Sequence, residues 1–393
     1  MNIIGAKQEN NTLYLSASGR IDSTNAKQAE EELEALRGAS SYEKLVLDVQ
    51  DLVYISSAGL RMVLRLRKTE PTMRIINASP EVYDIFEMTG FTEMIPVQKA
   101  YRRLSVDGCE VIGTGANGKV YRLDADTIVK VYLNPDSLAD IHRERELARR
   151  AFVLGVPTAI PYDVVQVGEG YGSVFELLNA KSFAKMIQSD PDSVDRCIEM
   201  SVELLKKIHA TEVRPEDMPD MRDVAIDWAE FLRPYLPADK ADKLVALMQA
   251  VPVDHHMMHG DYHIKNVMVQ DGEALLIDMD TLCQGHPVFE LGSMFNAYQG
   301  FSELDHAVTQ RFLGIPHETA SYFWERSLPL YLDTDDAAII AQVEKKAQLV
   351  GYTRLMRRRI RRKGFDSEEG RREIEVYRDH ILQLLDEVDT LEF

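Results

Sequence analysis

The sequence predicts two domains in one chain: an α/β domain over residues 1–104, then an α+β domain whose strands come first and whose helices follow. Three observations carry this. The chain has 393 residues, more than one ordinary core needs. Up to Ser105, short strand-like runs alternate with helical ones; beyond it, strand–turn–strand runs are bunched before Leu178 and helical periodicity fills the rest. The charge balance changes at the same place: residues 1–104 carry 13 basic and 14 acidic side chains, so −18 of the net −19 lies beyond them.

In the first domain, TLYLSASGRID and KLVLDVQ read as strands, AKQAEEELEAL and AGLRMVLRLRK as helices, and TMRIINA as a strand. SPEVYDIFEMTG reads as a short helix closed by Gly90. Its acidic residues fall on a solvated helix face or in turns, with no catalytic constellation. The segment Asp51–Leu64, DLVYISSAGLRMVL, ends a strand, turns on small residues and starts a helix near Ala58. This domain resembles the STAS domain of anti-sigma factor antagonists over roughly residues 1–100. The resemblance implies a protein partner, and makes Ser57 a candidate phosphoacceptor for a partner kinase. Ser56 stands where that family often has Asp. A phosphate at a helix N-terminus meets free N–H groups and a favourable dipole. Ser56 or Ser57 reads equally well as a plain N-cap.

Ser105–Glu110, SVDGCE, is the junction. After it come the strands CEVIG, GKVYRL and TIVKVYL, the last two joined by a turn at Asp124-Ala125-Asp126. PDSLADIHRERELARRAFVLG reads as a helix with Pro135 near its first turn and Gly155 just past its end. The strands DVVQVG and YGSVFELL meet at Gly168-Glu169-Gly170, and from Lys181 onward the chain is mostly helical.

The chemistry-bearing residues are spread over this domain. In IGTGANGKVY, Gly113, Gly115 and Gly118 join two antiparallel strands, a turn whose exposed N–H groups suit phosphates. Lys130, on the next strand, adds positive charge, and the following helix offers Glu144 and Glu146 as ion-pair partners; for Glu144 the spacing to Gly155 resembles that of the pairing glutamate in kinase-like folds, with Glu146 in reserve. In MHGDYHIKNVMVQ, Asp261 and Asn266 are five apart in a loop, and a hairpin turning at Asp271-Gly272 ends at Asp278. Phosphoryl transfer needs such a set: a carboxylate beside the attacking hydroxyl, and an amide and a carboxylate as hard oxygen ligands.

HGDxHxxN followed by IDxD, with the glycine turn and Lys130 upstream, resembles the aminoglycoside phosphotransferase and choline kinase group of the protein-kinase-like fold. The resemblance implies a two-lobed domain, with a nucleotide lobe over 105–178 and a helical lobe over 179–393. It implies ATP and Mg²⁺ as cofactors and a small-molecule acceptor. It makes Asp261 the catalytic base, Asn266 and Asp278 the metal ligands, Lys130 the phosphate contact with Glu144 as its partner, and Gly113, Gly115 and Gly118 the loop over the nucleotide. Phe175-Glu176-Leu177-Leu178 becomes the hinge, with Glu176 and Leu178 binding the nucleotide. His263, where protein kinases place lysine, favours the small-molecule branch. Ile264-Lys265 replaces the usual Pro-Gly, and Gly285-His286-Pro287 and Glu290-Leu291 depart from the family's Gly-Asp-Pro and Asp-Leu. Asp280 reads as a second carboxylate near the metal or as a structural acceptor. His259 reads as an orienting residue, His255 and His256 as surface or packing histidines.

The remaining features bound the setting. No run reaches the ~20 apolar residues of a spanning helix, and MNIIGAKQENN lacks the pattern of a secretory signal. Three scattered cysteines, Cys109, Cys197 and Cys283, fit a reducing compartment, so a cytoplasmic location is expected. The acidic second domain disfavours nucleic acid and is suited to a cationic acceptor. RLMRRRIRRK, Arg354–Lys363, has seven basic residues in ten and reads first as a charged helix face, second as a polyanion patch. The leading expectation is an ATP-dependent phosphotransferase. The alternative is a regulatory partner-switching protein whose second domain senses nucleotide or phosphorylates Ser57.

Overall fold

Asn10 and Asn11, with φ of 44° and 61°, turn the chain between β1 (Ile4–Glu9) and β2 (Thr12–Ile21). Positive φ at both turn residues matches the twist of a two-residue hairpin, and Asn tolerates it. β1 was not among the expected strands, because IGAKQE buries only Ile4 and shows no apolar alternation. The computed structural model describes residues 3–115, 118–134 and 137–393, which divide into the compact units Met1–Leu104 and Ser105–Phe393.

In the first unit the order continues through α1 (Ala26–Gly38), β3 (Lys44–Ile55), α2 (Ser57–Thr69), β4 (Arg74–Ala78), α3 (Pro80–Met88), α4 (Phe91–Met94) and β5 (Val97–Lys99). The sheet order is β1-β2-β3-β4-β5, antiparallel at the first pair and parallel thereafter. Parallel pairing demands crossovers, which α1, α2 and α3 supply. β3 runs five residues past KLVLDVQ, which brings Ile55 to the very start of α2. Leu15, Val49, Val63, Ile75 and Phe86 are fully buried in this unit's core.

The second unit opens with β6 (Val111–Thr114), β7 (Gly118–Arg122), β8 (Thr127–Tyr132), α5 (Leu138–Val153), β9 (Pro161–Val167) and β10 (Gly170–Glu176). Within its sheet these strands lie in the order β9-β10-β8-β7-β6, each pair antiparallel. Pro135 lies outside the described residues. Gly155, at φ 82°, follows α5.

Beyond Leu178 come β11 (Lys181–Ser182), α6 (Phe183–Ser189), α7 (Val194–His209), α8 (Met221–Leu232), α9 (Ala238–Ala250), β12 (Met257–Met258), β13 (Val267–Gln270), β14 (Glu273–Leu276) and β15 (Cys283–Gln284). α10 (Val288–Tyr298), α11 (Ala307–Phe312), α12 (His317–Leu332), α13 (Ala337–Arg361) and α14 (Glu368–Glu387) complete the chain. The β13–β14 hairpin turns on Asp271-Gly272, both at positive φ. Every residue of α10 is buried, and α13 packs against both α10 and α14.

Candidate active site

Lys130 projects from β8 onto two carboxylates brought from distant parts of the chain. Its Nζ lies 2.8 Å from Glu144 Oε1 on α5 and 2.6 Å from Asp278 Oδ1. Glu144 is 3% exposed, and its other oxygen accepts from the Tyr132 hydroxyl. Burial opposes charge on Lys130, but the Glu144 and Asp278 carboxylates outweigh it and keep the ammonium protonated. Burial, then Glu144, push the Tyr132 phenol far up, so it remains a donor. Glu146 lies elsewhere: hydrogen bonds from Arg149 and Arg150, against a smaller opposing effect of burial, bring its carboxyl down to about 2. The structure thus brings Glu144 to Lys130 and leaves Glu146 apart.

The glycine turn closes by a 2.9 Å bond from Gly115 N–H to Gly118 O; Ala116 and Asn117 lie outside the described residues. The glycines differ in what they do locally. A Cβ on Gly118 would sit 2.4 Å from Val131 O, so close strand packing alone demands glycine there. A Cβ on Gly115 would meet nothing nearer than Gly118 O at 4.0 Å, so packing does not explain that glycine. In the segment expected to form the hinge, Glu176 ends β10 and its carboxylate accepts from Ile160 N–H at 3.3 Å, while Leu177 N–H reaches Asp126 O at 2.7 Å. Leu178 follows, partly exposed.

The loop bearing Asp261 is held from several sides. Glu290, fully buried on α10, accepts from the N–H of His259 at 2.5 Å and of Gly260 at 3.1 Å. Burial opposes its charge, but His209, with its Nε2 3.9 Å away, then His259 and the Gly260 N–H hold the carboxyl below its usual range. His259 Nδ1 accepts from Asp261 N–H at 3.3 Å, which leaves Nε2 to donate to Ile277 O at 3.1 Å. Gly260 has φ 79°, and a Cβ there would fall 2.4 Å from Thr281 O. Asn266 Nδ2 donates to Asp261 O at 3.0 Å, and Ile277 N–H to Asn266 O at 3.0 Å, so the loop and the segment carrying Asp278 are stitched together.

Asp261 itself is 41% exposed at its side chain, with Oδ2 3.6 Å from His263 Nε2. Burial opposes its charge, but His263, then Arg354 and His259, hold the carboxyl well below the usual range. Asp278 does not end the hairpin strand as expected; β14 stops at Leu276. It adopts left-handed φ 62°, ψ 66° ahead of a 3-10 turn at Met279–Thr281, with its side chain 46% exposed. Aspartate tolerates that region better than most residues, and strain of this kind is concentrated at functional sites. Burial and then Asp278 push Asp280 up to about 6.

Two residues enter that the sequence reading did not assign to the site. Arg354 Nη1 donates to Gly260 O at 3.0 Å and to Ser293 Oγ at 2.8 Å. Its signal was present: Arg354 follows Ala347, Val350 and Gly351 at seven, four and three residues, all buried, so helical periodicity turns it inward. Glu290, noted only as a departure from a family pattern, is the lone charge in the apolar run VFELGSMF, a setting in which a carboxylate needs partners. His255 Nδ1 meets Gln284 Oε1 at 2.9 Å and His256 Nδ1 meets Asp254 Oδ1 at 2.5 Å. Among the described residues no group of three or more His, Cys, Asp and Glu is placed to hold a metal.

In the first unit, Ser56 caps α2: its Oγ accepts from Ala58 N–H at 3.2 Å. Ser57 is the exposed first residue of the helix.

A family model described as the phosphotransferase enzyme family matches residues 108–324, and one for the STAS domain matches residues 4–104. BtrV of Bordetella bronchiseptica, named as an anti-sigma factor antagonist, is 40% identical over 89 residues, 22% of this chain and 76% of that protein. Among solved structures, an aminoglycoside phosphotransferase APH(4)-Ia mutant, in complex with AMP-PNP and hygromycin B, is 13% identical, covers 72% of this chain and 94% of its own, and has a TM-score of 0.49. A choline/ethanolamine kinase family protein from Mesorhizobium loti is 16% identical, with coverages of 71% and 88% and a TM-score of 0.46. An anti-sigma factor antagonist from Mycobacterium paratuberculosis is 19% identical, with coverages of 24% and 83% and a TM-score of 0.23. The assignment rests on the family models and BtrV rather than on these structural likenesses. With more than half its length matched by the first model, the chain belongs to the phosphotransferase enzyme family, and it carries a STAS domain ahead of the phosphotransferase domain.

Proposed function

We propose that the second domain transfers the γ-phosphate of ATP to a hydroxyl of a small acceptor. The observation that carries this is the convergence on Lys130 of Glu144 and Asp278, the latter 148 residues away, beside the loop that bears Asp261. In this reading Lys130 holds the nucleotide phosphates and Glu144 fixes Lys130, with the Tyr132 hydroxyl fixing Glu144 in turn. Gly113, Gly115 and Gly118 cover the phosphates, and the backbone near Glu176 and Leu178 meets the base.

Magnesium fits the residues present: the Asn266 amide nitrogen is used on Asp261 O, leaving its oxygen as a hard ligand, and the Asp278 carboxylate is half exposed. Two protein oxygens suffice for an ion that keeps waters and phosphates as its other ligands. When bound there, Mg²⁺ neutralises charge on the phosphates. Asp261, ionised throughout the neutral range, orients the acceptor hydroxyl and takes its proton as the new O–P bond forms. The bond from the γ-phosphorus to the β–γ bridging oxygen breaks, and ADP leaves with that oxygen. Arg354, through Gly260 O, and Glu290, through the His259 and Gly260 N–H groups, keep the Asp261 loop in place.

The test is ADP release by the full chain with Mg-ATP and a panel of hydroxyl acceptors. Asp261→Asn is expected to lower turnover roughly 10²–10⁴-fold, the usual contribution of a positioned base, while nucleotide affinity persists. Normal turnover by that variant would sink the mechanism.

A second reading is favoured by one observation: Ser57 is exposed at the start of α2 while Ser56 does the capping. In it, the phosphotransferase domain phosphorylates Ser57 and the STAS domain passes the signal to a protein partner. Intact-mass measurement after incubation with Mg-ATP separates the two, since only self-transfer adds a phosphate to the chain.

A further inference from the structure

The acceptor side of Asp261 has a definite chemical character. His263, whose Nε2 lies 3.6 Å from the Asp261 carboxylate, packs edge-on against Phe312 at 5.0 Å between ring centroids. Phe312 in turn meets Phe301 at 5.5 Å. Both phenylalanines are only partly buried, so a two-ring apolar face runs from the catalytic loop across α11 and the segment before it.

Each ring carries one cation. Lys265 Nζ lies 5.9 Å from the centre of Phe312, and Arg358 Cζ lies 4.7 Å from the centre of Phe301. Both cations are exposed, and neither makes a side-chain hydrogen bond or an ion pair among the described residues. The carboxylates nearest in sequence to Phe301 are engaged elsewhere: Glu303 with His380, and Asp305 with Arg311 at 2.7 Å. The negative charge of the domain as a whole therefore does not describe this face. A cation over an aromatic ring with its donors unused is poised for an anionic oxygen.

We propose that the acceptor carries an anionic oxygen group, a phosphate monoester or a carboxylate, on the same skeleton as its hydroxyl, bound by Lys265 and Arg358 against the Phe301–Phe312 face. This rests on the phosphotransfer reading above and names its acceptor class. It reverses the cationic acceptor that the net charge of −19 suggested. Net charge acts on encounter over long range, whereas selectivity is decided by groups in contact.

The experiment measures ADP release by the full chain with four acceptor sets: sugar phosphates, hydroxy acids, neutral sugars and nucleosides, and cationic amino alcohols and aminoglycosides. Turnover is expected with one or both anionic sets, and which of the two responds separates phosphate from carboxylate. Lys265→Gln and Arg358→Gln are each expected to raise KM for that acceptor roughly 10- to 100-fold, the change expected for a lost charge-assisted hydrogen bond. Lys265→Glu is expected to shift preference toward cationic acceptors, which a merely structural role would not do. Turnover confined to neutral or cationic acceptors would overturn this inference and leave phosphotransfer standing. Transfer to no acceptor in any set, with nucleotide still bound, would overturn both.

Discussion

Gly260 is the residue on which the candidate site depends most locally, because its carbonyl, its N–H and its missing Cβ are all in use. The N–H goes to Glu290, the carbonyl receives Ser293 and Arg354, and the absent side chain admits Thr281 O. Arg354→Ala would leave Gly260 O with the Ser293 hydroxyl alone and remove a cation that helps keep Asp261 ionised. It should cost about 1–3 kcal/mol in a denaturant titration, as loss of a partly buried charged donor does, and should lower kcat. Arg354→Lys should rescue in part, since the single Nη1 reaches both acceptors and one ammonium with three donors can do the same. Lys130, Glu144, Asp261, Asn266 and Asp278 could be singled out as candidates in the sequence, because phosphoryl transfer calls for such residue types and their motifs resemble a known family. Arg354 and Glu290 were not assigned, because their roles arise from which helix faces meet, and a single local window does not contain that.

At the scale of elements, the strands with apolar alternation were readable and the others were not. β1 stayed hidden because its pairing is carried by backbone bonds to β2, with little side-chain burial to mark it. Asp278 was expected to end a strand and instead lies past it, since a left-handed aspartate at a 3-10 turn leaves no signature in apolar periodicity. The start of α2 was readable to within a residue, and the structure decides between its two serines. Ser56→Ala should therefore destabilise the STAS domain by about 1 kcal/mol, typical of a lost N-cap, seen as a lower denaturant midpoint. Ser57→Ala should leave that midpoint nearly unchanged, because the Ser57 hydroxyl caps nothing.

At the scale of the whole molecule, a STAS domain and a phosphotransferase domain share one short-linked chain. If Ser57 is the phosphoacceptor, tethering makes transfer intramolecular, and the rate of mass gain should not change with protein concentration. A rate proportional to concentration would mean that one chain modifies another. The two-domain order was legible because strand–helix alternation gives way to strands followed by helices at Ser105. The acceptor face was not, because Lys265, Phe301, Phe312 and Arg358 are scattered over the helical portion and acquire a common meaning only in the fold.

The bond from Arg354 to Gly260 also bears on where this enzyme can be cut. The family match ends at residue 324, yet the guanidinium that steadies the Asp261 loop comes from α13, beyond that limit. A fragment trimmed to the family's boundary would retain Lys130, Asp261, Asn266 and Asp278 while losing the helix whose arginine bonds the backbone beside Asp261. The candidate site of this chain therefore draws on α13, past residue 324, through the bond from Arg354 to Gly260 O.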